Sequence, residues 1–187
     1  MGVDAADINN DSHLDLMVLD MTAEDNFRLK SNMSGMNPDS FWKVVNDGGH
    51  YQYMFNTLQL NNGNETFSDI AQFTQTAATD WSWASLVADF DNDGNKDIYI
   101  TNGLLRDIRN TDADKKISDL VSKTFNKYII ENPDNSNVNF WDILDLQELL
   151  DFLPSQKLKN YFYRNYGDLK FKNEIDQSGL GDLSFSN

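Results

Sequence analysis

The chain has 187 residues, with 30 acidic and 15 basic side chains for a net charge of −15, and 40% of its residues are hydrophobic and 12% aromatic. That is enough apolar material for a packed core, while the charge argues against nucleic acid and anionic membrane surfaces as partners. The absence of Cys excludes disulfides and thiolate metal sites, and no apolar run approaches the roughly 18 residues of a membrane span.

The first element is "VDAADINNDSHLDLMVLDM", Val3 to Met21, in which an Asp/Asn cluster is followed by alternating apolar residues. This motif begins almost at the first residue, with no signal peptide before it, so the start of a longer protein is expected to be missing. Residues 21–52 have weak helical spacing around "NMSGMNPDS". "FNTLQLNNGNETFSDI", Phe55 to Ile70, reads as a strand, an Asn-Gly turn and a return strand. Trp81 and Trp83 alternate along a strand and share one face, which suits packing better than a sugar-stacking platform. "SLVADFDNDGNKDIYITNG", Ser85 to Gly103, then repeats the first element 82 residues later.

Arg106 and Arg109 follow, with Asp107 and Asp112 as expected ion-pair partners. Residues 112–160 are expected to be a helical insertion. Ile117, Leu120, Val121, Phe125, Tyr128 and Ile129 have near i, i+3, i+4 spacing. Asp112 is placed to cap this helix and "NPD" (132–134) to stop it. A second helix is expected over about 139–153, ended by Pro154, with Trp141, Leu144, Leu149, Phe152 and Leu153 packed against the β scaffold. "YFYRNYGDLKFKNEI", Tyr161 to Ile175, repeats the Asn/Gly hairpin.

The two acidic loops share a spacing. Loop two is D-x-D-x-D-G-x-x-D from Asp89 to Asp97, and loop one is D-x-N-x-D-S-x-x-D from Asp7 to Asp15. Oxygen ligands at positions one, three and five wrap a cation, position seven offers a backbone carbonyl, and position nine returns a carboxylate from the next strand. Ca²⁺ takes about 6–8 oxygens in a flexible geometry, whereas Mg²⁺ demands a strict octahedron. Gly94 suits the sharp turn at position six better than Ser12 does. An EF-hand is excluded, because it needs flanking helices and a Glu at position 12, where this chain has Val18 and Ile100. Ordinary solvated turns are the alternative, made less attractive by the second copy. A carboxylate held by Ca²⁺ stays ionised and is a poor general acid, so the paired acids do not read as a hydrolase centre. His50 reads as structural or exposed.

These loops and hairpins resemble FG-GAP/VCBS repeat proteins, and the stretch from Gln52 to Gly94 is most similar to the ASPIC/UnbV group, which includes cartilage acidic protein. The resemblance covers the chain apart from the helical insertion. It implies an integrin-α-like β-propeller with Ca²⁺ in the hairpin loops. The implied ligands are Asp7, Asn9, Asp11, His13 (carbonyl) and Asp15 in loop one. In loop two they are Asp89, Asp91, Asp93, Asn95 (carbonyl) and Asp97. A propeller needs about 4–8 blades, so the fold class expected here is mainly β, a partial propeller of two to three blades truncated at both ends, with unpaired strand edges. Its parts are propeller repeats over 1–111, the insertion over 112–160, and the start of a next repeat over 161–187.

The expected function is non-catalytic, Ca²⁺-dependent binding of a protein or glycan at an extracellular, cell-surface or periplasmic location. The Ca²⁺ affinity should be weak, about 10⁻⁴–10⁻³ M, as in extracellular modules. The alternatives are a Ca²⁺-dependent polysaccharide lyase or hydrolase, or an accessory domain of one, with Lys96 and Arg106 as loosely suitable basic groups, and a purely structural spacer.

Overall fold

The computed structural model describes residues 1–32, 38–133 and 138–185. Its strands are β1 (Val3–Ala6), β2 (Asp15–Val18), β3 (Thr57–Asn61), β4 (Phe67–Asp69), β5 (Ser82–Ala88), β6 (Asp97–Asn102), β7 (Tyr161–Asn165) and β8 (Phe171–Asn173). The helices are α1 (Asn26–Asn32), α2 (Pro38–Asn46), α3 (Thr111–Glu131), α4 (Phe140–Ile143) and α5 (Leu146–Asp151).

The strands form two four-stranded antiparallel meanders, β1-β2-β3-β4 and β5-β6-β7-β8. Register repeats as well as order: Leu16 faces Gln59 across β2 and β3, and Ile98 faces Tyr163 across β6 and β7. Alternation along these strands turns Met17 and Leu58 of one sheet, and Ile98, Ile100 and Tyr163 of the other, into a common core. Met17, Leu58, Ile98 and Ile100 have no exposed surface. The first strands of the two sheets lie side by side, and the Asp4 carboxylate of β1 accepts the Val87 N–H of β5 (2.7 Å). Gly2 is required at this seam, because a Cβ there would sit 2.8 Å from the Trp83 carbonyl oxygen. The outer strands β4 and β8 have three residues each, which leaves little free edge for association.

Residues 161–187 do not open a further sheet among the described residues. β7 pairs with β6, so this segment completes the second sheet, and the helices α3 to α5 are inserted between its second and third strands. α3 is capped by Asn110 rather than Asp112: the Asn110 side chain accepts the Ala113 N–H (3.0 Å). Asn110 has the extended backbone that a cap needs, whereas Asp112 already lies in the first turn. The helix ends at a C-cap on Asn132; Asp134 of the expected stop signal lies outside the described residues. Of the α3 stripe, Ile117, Leu120, Val121 and Tyr128 are half-buried, and Phe125 and Ile129 are exposed. The expected second helix breaks into α4 and α5. Leu144 and Leu149 are buried, while Trp141 is 59% exposed.

Neither Arg106 nor Arg109 claims Asp107. Its partner is Arg28 of α1, which is only 7% exposed and grips two carboxylates. Nε and Nη2 donate to Asp80 (2.5 and 3.0 Å), Nη1 and Nη2 to Asp107 (3.2 and 3.3 Å), and Nη1 also to Gln156 (3.0 Å). Burial alone would lower the Arg28 pKa; the bonds to Asp80 and Asp107 outweigh it and hold the guanidinium above its ordinary value. Asp80 precedes β5 and Asp107 follows β6, so the cluster clamps α1 onto the second sheet.

Replacing Arg28 with Ala strands two buried carboxylates. The expected loss is about 3–5 kcal/mol, read as a fall in the urea midpoint at unchanged m-value. Arg106→Ala is the control and should lose under about 1 kcal/mol, since the Arg106 guanidinium reaches only the Leu153 carbonyl (3.3 Å).

Candidate metal centre

Loop one joins β1 to β2 and loop two joins β5 to β6, so each closes the first hairpin of its sheet. Their backbones match position by position. Asn10 and Asn92 are left-handed at φ 60° and 59°, and Ser12 and Gly94 at 73° and 91°. Gly94 adopts this conformation freely; Ser12 adopts it too, so the poorer turn residue does not change the loop's shape.

The hydrogen bonds repeat with the backbone. Asp7 accepts the N–H groups of Asp11 (3.0 Å) and Ser12 (2.8 Å), and Asp89 accepts those of Asp93 (3.1 Å) and Gly94 (3.0 Å). Asn9 Oδ1 accepts from Asp11 (3.3 Å), as Asp91 Oδ1 does from Asp93 (3.2 Å). At position five, Asp11 accepts the His13 N–H and Asp93 the Asn95 N–H, both at 2.8 Å. The side chains at position seven fold back onto the same acids: His13 Nδ1 lies 3.1 Å from Asp11 Oδ1, and Asn95 Nδ2 donates to Asp93 Oδ1 at 3.1 Å.

Position nine anchors each loop. Asp15 and Asp97 are fully buried at the first residue of β2 and β6. One oxygen of each accepts the N–H at position two, Ile8 (2.9 Å) or Phe90 (3.2 Å). The other accepts the N–H of the last residue of the next strand, Asn61 (2.8 Å) or Asn165 (2.9 Å). Burial raises the Asp97 pKa; the N–H groups of Asn165 and Phe90 oppose the shift, and the charges of Asp91 and Asp93 add to it. Asp11 is held below the ordinary carboxylate range, chiefly by the Asn9 amide and the His13 N–H.

Sequence reasoning missed Asn61 and Asn165. Each ends the third strand of its sheet, and the side-chain oxygen of each accepts a glycine N–H at 3.0 Å, from Gly63 and Gly167 respectively. The signal was the repeated Asn-x-Gly at the two hairpins. Asn165 does more: its amide donates to Ile8 O of loop one (3.1 Å) and Lys96 O of loop two (3.0 Å). Asn10 adds a second bridge to Gly94 O (3.2 Å), so the two loops form one acidic surface at the same end of the molecule.

Among the described residues, Asp89, Asp91 and Asp97 are the one group of three acids with oxygens within 4.8 Å of one another. Loop one has the neutral Asn9 in place of Asp91, which is why its acids form no such trio. Asp93 and Asn95 bond each other instead of joining it. This all-oxygen donor set suits a hard cation. Lys96 precedes β6 and Arg106 follows it, at opposite ends of the strand. Trp81 and Trp83 are half-buried with rings 6.5 Å apart, and the Trp83 indole donates to the Gly103 carbonyl. His50 is exposed.

The residue pattern around loop two also has a counterpart among known families. Residues 38–100 match the family model of an FG-GAP-like repeat. The match runs from the first residue of α2 into β6 and includes all of loop two; loop one lies outside it. No curated protein and no solved structure matches the chain. No described helix is long and apolar enough to cross a membrane.

Asn165→Ala removes two inter-loop bonds from a fully buried site, and the expected loss is about 1–3 kcal/mol. Asn61→Ala should cost less, because its amide reaches only the exposed Leu14 carbonyl (3.2 Å). Chemical denaturation of both variants in chelator checks the order.

Proposed function

We propose that this chain is a non-catalytic, Ca²⁺-stabilised binding module: two blades of an integrin-like β-propeller, of the ASPIC/UnbV type, acting outside the cytoplasm on a protein or glycan. FG-GAP-like repeats are protein-interaction modules typical of surface proteins, and residues 38–100 carry one. The observation that carries the reading is the duplication of the whole loop network, from the left-handed backbone to the buried position-nine anchor. Solvated turns have no need for that agreement. In loop two the cation would be held by Asp89, Asp91 and Asp97, with Asp93 and the Asn95 carbonyl completing the set. In loop one the corresponding groups are Asp7, Asn9, Asp11, the His13 carbonyl and Asp15. The bound ion supplies positive charge where carboxylates crowd, so its role is structural.

The exposed aromatic cluster around α2 offers a contact surface. Phe41 packs on Trp42, Tyr51 and Tyr53 with centroids 5.3–6.2 Å apart, while Trp42, Tyr51 and Tyr53 stay 52–60% exposed. This is a better stacking platform than Trp81 and Trp83. The lyase or hydrolase reading draws no support from Lys96 and Arg106, which flank opposite ends of β6.

At about 10 mM Ca²⁺, a Kd of about 10⁻⁴–10⁻³ M stabilises by about 1.4–2.7 kcal/mol per site, or roughly 3–10 °C for a chain of this size. Thermal unfolding should therefore show a Ca²⁺-specific rise in Tm, smaller with Mg²⁺ and reversed by chelator. Asp89→Ala and Asp7→Ala should each remove part of it. A folded protein with no shift at about 10 mM Ca²⁺, tenfold or more above the expected Kd, rejects the cation reading, and reproducible polysaccharide cleavage abolished by Lys96→Ala rejects the non-catalytic one.

A further inference from the structure

The two loops differ in their number of carboxylates. Loop one carries three carboxylates, Asp7, Asp11 and Asp15; loop two carries four, Asp89, Asp91, Asp93 and Asp97. The extra one is Asp91, which stands where loop one has Asn9. A second difference lies next to it in space. Arg164 of β7 forms an ion pair through Nη2 with Asp91 Oδ2. The strand registers and the Asn61/Asn165 equivalence place Leu60 at the matching position of the first sheet. Thus Asn9 with Leu60 in one repeat becomes Asp91 with Arg164 in the other. Both differences change charge by one, in opposite senses, and they are separate from Lys96, which stands in loop two where loop one has Leu14.

Arg164 is held for this contact. Its guanidinium lies 5.2 Å from the Tyr166 ring centroid. Tyr166 is fixed by its hydroxyl donating to Glu174 (2.7 Å), which also accepts from Lys172 (2.8 Å). Arg164 Nε is buried without a hydrogen-bond partner, a cost that a free surface arginine would avoid by turning to water. With Oδ1 accepting the Asp93 N–H and Oδ2 on the guanidinium, both oxygens of Asp91 are already engaged.

We infer that Arg164 is an affinity-setting residue for loop two: its guanidinium offsets the additional carboxylate of Asp91 and holds the Ca²⁺ affinity of loop two below what its four carboxylates would otherwise give. The inference rests on the cation reading of the loops. A bound divalent ion competes with the guanidinium for Asp91 and is repelled by it, so removing that charge tightens binding at loop two alone. At contact distances through partly exposed surroundings the expected change is roughly tenfold.

The test is Ca²⁺ titration of the full chain followed by amide NMR, with Gly94 reporting loop two and Ser12 reporting loop one. In Arg164→Leu, which copies the first repeat, Gly94 should titrate about tenfold tighter while Ser12 stays as in wild type. Arg164→Lys keeps the charge and should stay near wild type. The double variant Asp91→Asn with Arg164→Leu reproduces the loop-one pair and should also return towards wild type. It takes over as the test protein if Arg164→Leu does not fold, because it leaves no carboxylate unpaired; a Gly94 affinity well away from wild type in it overturns the inference. A Gly94 affinity unchanged or weakened in Arg164→Leu also overturns it while leaving Ca²⁺ binding intact. If neither Gly94 nor Ser12 responds to Ca²⁺ in any variant, the cation reading fails and takes this inference with it.

Discussion

The structure depends on one buried carboxylate per sheet. Asp15 and Asp97 each sit at the start of a second strand, fully removed from water, with both oxygens accepting backbone N–H groups. One of those groups belongs to the acidic loop and the other to the end of the third strand. The same side chain thus fixes where the loop begins to turn and how the second hairpin registers against the first. An apolar residue of similar size would fill the space but would leave both N–H donors unmet.

Electrostatics then shape what the loops do. Burial opposes an ionised carboxylate at Asp97, and the charges of Asp91 and Asp93 add to that opposition. Loop two answers part of this internally through Arg164, whereas loop one answers it by having Asn9 in place of an acid. The Asn165 bridge prevents the loops from separating to relieve repulsion, because its amide is tied to carbonyls of both. Neutral hydrogen bonds thus hold the two acidic loops side by side.

At the far end of the strands, order comes from ion pairing of a different kind. Arg28 faces two carboxylates in a buried setting, where exchanging any one partner is costly. This clamp holds α1 against the sheet that carries loop two, although α1 itself belongs to the segment following loop one. The helices inserted between β6 and β7 contribute little to the core: apart from Ala113, Leu144 and Leu149, their apolar side chains remain at least partly exposed.

The amino-acid sequence by itself determined the parts whose partners are close along the chain. The nine-residue loops were legible because their Asp/Asn spacing and turn residues are local, and so were the Asn/Gly hairpins and α3, whose cap lay two residues before the expected one. The duplication was legible because both copies keep the same spacing. Tertiary structure alone decided the rest. Asn61 and Asn165 find their aspartates 46 and 68 residues away, and Arg28 finds Asp80 and Asp107 at separations of 52 and 79. Arg164 meets Asp91 only because β7 returns beside β6 after the helical insertion. Nothing in local spacing marks those side chains, since a charge or an amide acquires its role from whatever long-range strand pairing brings against it.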